Sequence, residues 1–334
     1  MTDRIQRKKA RQVCGEVPVS GDEELSETAI RKGSWVRKVT RSWEFRGVPR
    51  LLYATREWAL GKEPGVFELE NSIRMVLDPS DYFQCMMYYG RFCPEVFQAL
   101  QKFVRPGDTV LDIGAQLGYF SLHVARLVSS TGRVYCFEPD PRSFARLDEA
   151  VRLSRIDWIK SFQTALSARE GTMDFYLSPT LGWSTGVKNS HLGDLQQVSV
   201  GTVPLDVLVG RGEIPSRIRL AKIDVEGFEM EVLRGMPNVL AKSRPILVLE
   251  VNVQMLHAQG TSPSEIVRFL ESFEYRVSRI NKDLRWWRSR PRMRLCPTDA
   301  SLLVDCDLVC TPSELLAVGE PNPGSKLQHM LTRD

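Results

Sequence analysis

Val110-Leu-Asp-Ile-Gly-Ala-Gln-Leu-Gly-Tyr119 runs from a short, apolar, β-forming stretch into a turn that carries two glycines. The apolar run through Asp112 reads as a buried strand, and YFSLHVARLV behind it reads as a helix. A strand that turns on glycine straight into a helix is the opening of an open α/β sheet. The same alternation continues outward in both directions. PEVFQALQKFV, starting at Pro94, presents Val96, Phe97, Leu100 and Val104 on one helical face, and Arg105-Pro-Gly-Asp108 stops it. Downstream, RVYCFEP is a second strand, and Pro141 opens the helix PRSFARLDEAVRL. Ile159–Leu166 is expected as a third strand and GTMDFYLS as an added one. RLAKIDVEG and PILVLEVN are further strands, followed by the helices EMEVLRGMPNVL and SPSEIVRFLESF. Tyr275–Ile280 and Ser301–Cys306 are expected to close the sheet. Residues 179–200, rich in Gly, Ser and Thr, read as a loop or lid. The expected architecture is a mostly parallel sheet with helices on both faces and ligands beyond the carboxyl ends of its strands.

Each motif with chemical content falls at such a strand end. Asp112 precedes the turn of Gly114, Ala115, Gln116, Gly118 and Tyr119. Glycine admits a close backbone approach because no Cβ stands in the way. Glu138 ends the next strand, twenty positions after Gly118. A carboxylate there can accept hydrogen bonds from both ribose hydroxyls of an adenosine. The dinucleotide fingerprint G-x-G-x-x-G fails at its second glycine, where Gln116 stands, so close approach to a pyrophosphate is not expected. Asp112 beside the turn suits a cation and repels a phosphate. The pattern points to S-adenosylmethionine, whose sulfonium carries positive charge, over NAD. The plainer structural reading is that Gly114 and Gly118 only serve a tight strand–helix turn.

Lys222-Ile-Asp-Val-Glu-Gly227 ends another strand. Strand alternation would send Lys222, Asp224 and Glu226 to one side and Ile223 and Val225 to the other. Charged groups at a ligand-binding edge are costly unless paired or used. One of the two carboxylates could take a proton from an attacking hydroxyl. Asp224, Glu226 and Glu250 could instead hold a divalent cation. In the structural alternative, Lys222 neutralises Asp224 while Glu226 caps the following helix. The proton-acceptor reading is preferred here, so no metal is expected. Of the four histidines, His123 reads as packed in its helix, His191 falls in the loop, and His257 reads as a surface group.

The 334-residue chain has an ordinary globular balance, 43% hydrophobic and 26% charged, with a net charge of +4. That charge is too small to suggest nucleic acid. It is also local, in the run Arg4 to Arg11 and in the arginines from Arg285 to Arg294, both read as solvated or frayed. The seven cysteines are scattered with no Cys-x-x-Cys pair, so neither a disulfide framework nor a zinc site is expected. Cytoplasmic residence fits that pattern and the absence of an apolar leader in MTDRIQRKKARQVCGE. No stretch has the length and apolarity of a membrane span.

Taken in order, the blocks RPGDTVLDIGAQLGYFS, VYCFEPDP, TALS, VPLDVL, LAKIDVEGFEMEVLRG and PILVLEVN resemble the FkbM family of class I methyltransferases. KIDVEG is the most specific of these blocks, and the resemblance covers about residues 90–255. It implies a Rossmann-like, seven-stranded sheet and methyl transfer from S-adenosylmethionine to a hydroxyl oxygen of a sugar or natural product. Carried over by position, Asp112, Gly114, Gly118 and Glu138 would hold the cofactor, with Ala115, Gln116 and Tyr119 completing the turn. Ala165 would line the adenine pocket, and Asp224 and Glu226 would face the transfer site. Gln116 departs from the Asn common in the family; cofactor binding is expected to survive this. The expected organisation is a loose, polar leader over 1–33, an aromatic-rich accessory layer over 34–93, a methyltransferase domain over 94–310 and a tail over 311–334. The implied acceptor is a small molecule or glycan hydroxyl, with oligomeric state left open. The rival readings are a methyltransferase-like scaffold without turnover and an NAD-dependent oxidoreductase.

Overall fold

The structure, a computed structural model, describes residues 27–43, 45, 47–178, 195–283, 292–298 and 304–316. The chain opens with helices α1 (Glu27–Thr40), α2 (Val48–Ala54) and α3 (Arg56–Leu60). A hairpin, β1 (Gly65–Glu68) and β2 (Arg74–Leu77), follows, then α4 (Tyr82–Tyr88) and α5 (Pro94–Phe103). The alternating region comprises β3 (Thr109–Ile113), α6 (Tyr119–Val128), β4 (Arg133–Phe137), α7 (Pro141–Leu153), β5 (Ile159–Phe162), β6 (Ala165–Leu166), β7 (Gly171–Leu177) and β8 (Gln196–Val203). It continues through α8 (Leu205–Gly210), β9 (Leu220–Ile223), α9 (Glu229–Arg234), β10 (Ile246–Val251), α10 (Val253–Ala258) and α11 (Pro263–Ser272). Strands β11 (Tyr275–Asp283), β12 (Arg292–Pro297) and β13 (Cys306–Pro312) end it.

The main sheet has the order β12-β11-β13-β10-β9-β3-β4-β5. Strands β5, β4, β3, β9 and β10 pair in parallel, while β13 inserts antiparallel between β10 and β11. All four residues of β9 and nearly all of β3, β4 and β10 are buried, as a sheet covered on both faces requires. The sheet has eight strands rather than the expected seven. The extra strand is β12: Ser278–Asp283 of β11 pair antiparallel with Arg292–Pro297 on the edge of β11 away from β13. Part of the basic run therefore lies in a strand.

Three other expectations shift. The closing strand is Cys306–Pro312, not Ser301–Cys306. Ile159–Leu166 is not one strand: β5 stays in the main sheet, and β6 joins a second sheet of order β6-β8-β7. The expected loop over 179–200 ends in β8, because Gln196–Val200 pair antiparallel with Met173–Leu177. Residues 179–194 lie outside the described residues, as do His191 and 317–334 of the expected tail. At the other end α1 begins at Glu27, inside the segment read as a loose leader.

Capping fixes the helices close to the sheet edge. Asp140 accepts the Arg142 amide at 2.8 Å before Pro141 opens α7. Asp81 caps α4 by accepting the Gln84 amide at 2.8 Å. The segment before β3 packs into the same core as the sheet. Val48, Leu52, Ile73, Met75 and Met87 share one apolar cluster with Val110, Leu122 and Leu147 of the sheet and its helices. Polar bonds pin it as well: Ser154 Oγ lies 2.9 Å from the Arg74 amide, and Arg146 donates to the Val76 carbonyl at 2.8 Å.

Candidate functional site: a cavity at the switch point of the sheet

Strand order reverses between β3 and β9, and a cavity of about 310 Å³ opens there. Such a crevice is where open α/β sheets take ligands. Gly114, Ala115, Gln116, Tyr119, Glu138, Ala165, Asp224 and Glu226 all line it. The structure thus gathers eight of the ten expected site residues on one wall system. Asp112 and Gly118 sit behind it. Asp112 is 2% exposed, accepts a hydrogen bond from Ser121 Oγ at 2.5 Å and lies 3.6 Å from Lys222 Nζ. Gly118 begins α6 with a left-handed φ of 84°.

The turn is built from spent amides. Gly114 and Ala115 donate to the Phe137 carbonyl at 2.9 and 3.0 Å, and Gly118 donates to Ala115 O at 2.8 Å. The Gln116 amide donates to Glu138 Oε2 at 2.7 Å, and the Asp140 amide to Glu138 Oε1 at 2.8 Å. One carboxylate thus ties the β3 turn to the β4 turn, each of its oxygens keeping further acceptor capacity. Burial pushes the Glu138 carboxyl up to about 8, against the pull of those two amides.

The glycine at 114 has a different cause from the expected one. A Cβ there would sit 1.8 Å from the Asp224 carbonyl oxygen, and its φ is +82°. The missing side chain lets the carboxyl ends of β3 and β9 close on each other. It leaves room for protein backbone rather than for a ligand.

The second acidic motif also differs from its strand reading. β9 ends at Ile223, so the alternation stops there, and Val225 reaches the cavity too. Glu226 arrives through a left-handed backbone, φ 50°, instead of strand register. Lys222 does pair with Asp224, Nζ to Oδ2 at 2.8 Å, and its ammonium lies 4.6 Å from the Phe120 ring centre. Burial alone would lower the Lys222 pKa, yet Asp224 and Asp112 hold it above its ordinary value. Glu229, at the start of α9, accepts the Gly227 amide at 3.1 Å. Burial raises Glu229 to about 7 even so. Glu226 is pushed up to about 8 by burial and by Asp224 and Glu229. Glu250, on the cavity lining, is pushed up to about 10 by Asp224 first and by burial second. Among the described residues no group of three His, Cys, Asp or Glu side chains is arranged to hold a metal ion. His123 is packed as expected, its Nδ1 2.8 Å from Tyr119 O.

Sequence reasoning missed one whole wall. Asp81, Phe83, Gln84, Met87, Phe92 and Cys93 line the cavity from the N-terminal segment. Its aromatic density is visible in the sequence, but nothing local to it signals the strand edge it covers.

An α/β sheet of this order, with its cavity at the switch point, is an open ligand-binding sheet, and comparison with known proteins makes the chain a methyltransferase. Residues 112–277 match the family described as Methyltransferase FkbM domain. Hexuronic acid methyltransferase AglP of Haloferax volcanii is 29% identical over 191 residues, 57% of this chain and 73% of that protein. The 2-O-methyltransferase NoeI of Sinorhizobium fredii is 30% identical over 191 residues, 53% of this chain and 76% of that protein. The solved Methyltransferase FkbM of Methylobacillus flagellatus aligns with 16% identity and a TM-score of 0.39, over 79% of this chain and 59% of that one. The chain belongs to the FkbM family of methyltransferases. No described helix is long and apolar enough to cross a membrane.

Proposed function

We propose that the protein transfers the methyl group of S-adenosylmethionine to a hydroxyl oxygen of a sugar or natural-product acceptor, in the cytoplasm. The observation that carries the cofactor half is the Glu138 carboxylate. It is held in place by two backbone amides, lines the cavity and keeps acceptor capacity for a pair of ribose hydroxyls. The residues fit the rest of that ligand. Ala165, Leu166 and Phe137 offer an apolar slot for a flat base, and Asp224, Glu226 and Glu250 favour positive charge. The amides of Gly114, Ala115, Gln116 and Gly118 are all bonded to protein, which counts against a pyrophosphate-bearing cofactor such as NAD. The names of AglP and NoeI support a sugar hydroxyl as acceptor.

When bound, S-adenosylmethionine supplies a methyl carbon made electrophilic by its positively charged sulfur. The chain's own contribution is placement and proton handling. Lys222 fixes Asp224 by a 2.8 Å ion pair, so Asp224 holds a defined position at the edge of the transfer centre. Glu226, raised to about 8, can take up the hydroxyl proton in its ionised form, so turnover should rise as pH approaches 8. Placement of the attacking oxygen supplies up to about 7–11 kcal/mol in favourable cases. Thermal denaturation with S-adenosylhomocysteine and, separately, with NAD tests the reading. Stabilisation by S-adenosylhomocysteine alone is expected; stabilisation by NAD alone overturns it.

A further inference from the structure

The corner that joins α1 to α2 faces outward with side chains that water does not favour. On α1, Val36 and Thr40 point inward, 7% and 4% exposed. Trp35, Lys38 and Val39, three and four positions apart, share the opposite face. Trp35 is 61% exposed and Val39 40%; beyond the helix, Phe45 is 50% exposed and Leu51 of α2 44%. One such side chain on a surface is ordinary, but four on one short corner mark an interaction surface. The corner is also held in place. Arg91 Nη2 donates to the Thr40 carbonyl at 3.0 Å and to the Trp43 carbonyl at 2.7 Å, and the Trp43 ring lies 5.8 Å from that of Phe45.

The charge around these side chains has one sign. Over residues 34–62 the chain carries seven Lys and Arg against Glu44 and Glu57. Part of it is neutralised: Arg41 lies 3.7 Å from Glu70, and Arg56 and Lys62 share Glu57 at 3.7 and 3.4 Å. Arg37 donates to a neutral group, the Glu68 carbonyl, at 2.7 Å. Lys38 and Arg50 are exposed and form no ion pair among the described residues. Positive charge therefore remains beside Val39 and Leu51, the chain neighbours of Lys38 and Arg50. An apolar protein partner has no use for these cations, and a nucleic acid gains nothing from Val39 and Leu51. An anionic bilayer uses both: Trp settles at the headgroup level, aliphatic groups reach the acyl boundary, and Lys and Arg stay at the phosphates. We propose that the α1–α2 corner docks the protein on an anionic lipid surface, with Trp35, Val39, Phe45 and Leu51 inserted and Lys38 and Arg50 against lipid phosphates. The corner is tied to the cavity wall, since Tyr53 of α2 donates to the Ser80 carbonyl at 2.6 Å, next to Asp81 of the cavity lining. Docking and methyl transfer are separate readings, and neither depends on the other.

Flotation of the full chain with vesicles tests the proposal, using phosphatidylcholine alone and phosphatidylcholine mixed with phosphatidylglycerol. Binding to the mixed vesicles is expected to exceed binding to the neutral ones by about fivefold or more. It should fall as salt shortens the Debye length from about 10 Å to about 3 Å. Trp35→Ala and Lys38→Gln should each weaken binding by about fivefold. Both side chains are exposed, so both variants should keep the wild-type melting temperature. Absence of binding to the mixed vesicles, or equal binding to the two kinds, overturns the proposal. So does wild-type flotation of both variants, which is the result if the basic run over residues 4–11 does the binding. A concentration-dependent dimer that Trp35→Ala dissociates in sedimentation would assign the corner to a second copy of the chain and overturn it as well.

Discussion

Replacing Glu138 by Gln separates the two tasks of that carboxylate. In the folded chain it accepts the Gln116 amide at 2.7 Å and the Asp140 amide at 2.8 Å. A glutamine keeps one acceptor oxygen and turns an NH₂ group toward the other amide. One buried N–H loses its partner, which costs about 1–3 kcal/mol of stability. Against this, the variant escapes the cost of taking up a proton on folding, since burial has raised the carboxyl from its unfolded value to about 8. The two terms oppose each other, so the melting temperature should move by only a few degrees. Binding should change far more. A hydrogen bond from a ribose hydroxyl to a carboxylate contributes about 1.5–3 kcal/mol. Its loss weakens S-adenosylhomocysteine by about 10- to 140-fold. A second signature follows from the raised pKa. At pH 7 the ligand-free carboxyl holds a proton that ribose binding favours releasing, so wild-type binding enthalpy should vary with the buffer's ionisation enthalpy. Glu138→Gln should lose that share of the dependence. Calorimetry in two buffers reads both. A folded variant with wild-type affinity and wild-type proton release would falsify the role assigned to Glu138.

Gly114→Ala should destabilise the fold by more than about 3 kcal/mol, since its Cβ meets the Asp224 carbonyl at 1.8 Å and φ is +82°; a denaturant midpoint within error of wild type contradicts this. Glu226→Gln should retain S-adenosylhomocysteine affinity and lose about 10²-fold or more in kcat, and full turnover removes Glu226 as the proton acceptor. Turnover should survive chelation, because Lys222 already places positive charge 2.8 Å from Asp224; chelator-sensitive activity restored by Mg²⁺ or Mn²⁺ reverses that. The ligand-free protein should lose stability as pH rises. Glu229, Glu138, Glu226 and Glu250 hold their protons to about 7, 8, 8 and 10 when folded but ionise near 4.5 when unfolded. The folded state binds more protons across that window, so unfolding free energy falls with pH. Melting curves from pH 5 to 10 should show this, with Glu250→Gln flattening the alkaline end; a rise in stability toward pH 9 is the contrary result.

The parallel core was readable because it depends on local patterns. Buried strands between helical periods, Pro141 at a helix start and glycine at a strand end each act within a few residues. Glu138 could be found by counting from Gly118, since both close their turns on the same strand pair. The rest is non-local. That Gly114 yields to Asp224, 110 positions later, depends on the order reversal of the sheet, which periodicity does not encode. Glu226 was assigned to strand alternation, but β9 stops at Ile223 and a left-handed residue redirects it. The eighth strand hides in a basic run whose composition reads as solvent-facing, and it pairs along the edge of β11 opposite β13, a partner set by tertiary arrangement. The aromatic wall around Phe83 has the same cause: its residues are conspicuous, but their placement is set by β2 docking on α7.

The most direct test of methyl transfer to a hydroxyl uses S-adenosylmethionine carrying a trideuterated methyl group. The purified protein is incubated with it and a set of glycosides, and products are read by mass spectrometry and by the position of the new C–O bond. The account predicts a trideuteromethyl ether on an acceptor hydroxyl, with one S-adenosylhomocysteine formed per ether and several-fold or more less of both products from Glu138→Gln at ligand concentrations near the wild-type Kd. Label found on nitrogen or carbon, or ether formation that proceeds equally in Glu138→Gln under those conditions, would contradict it.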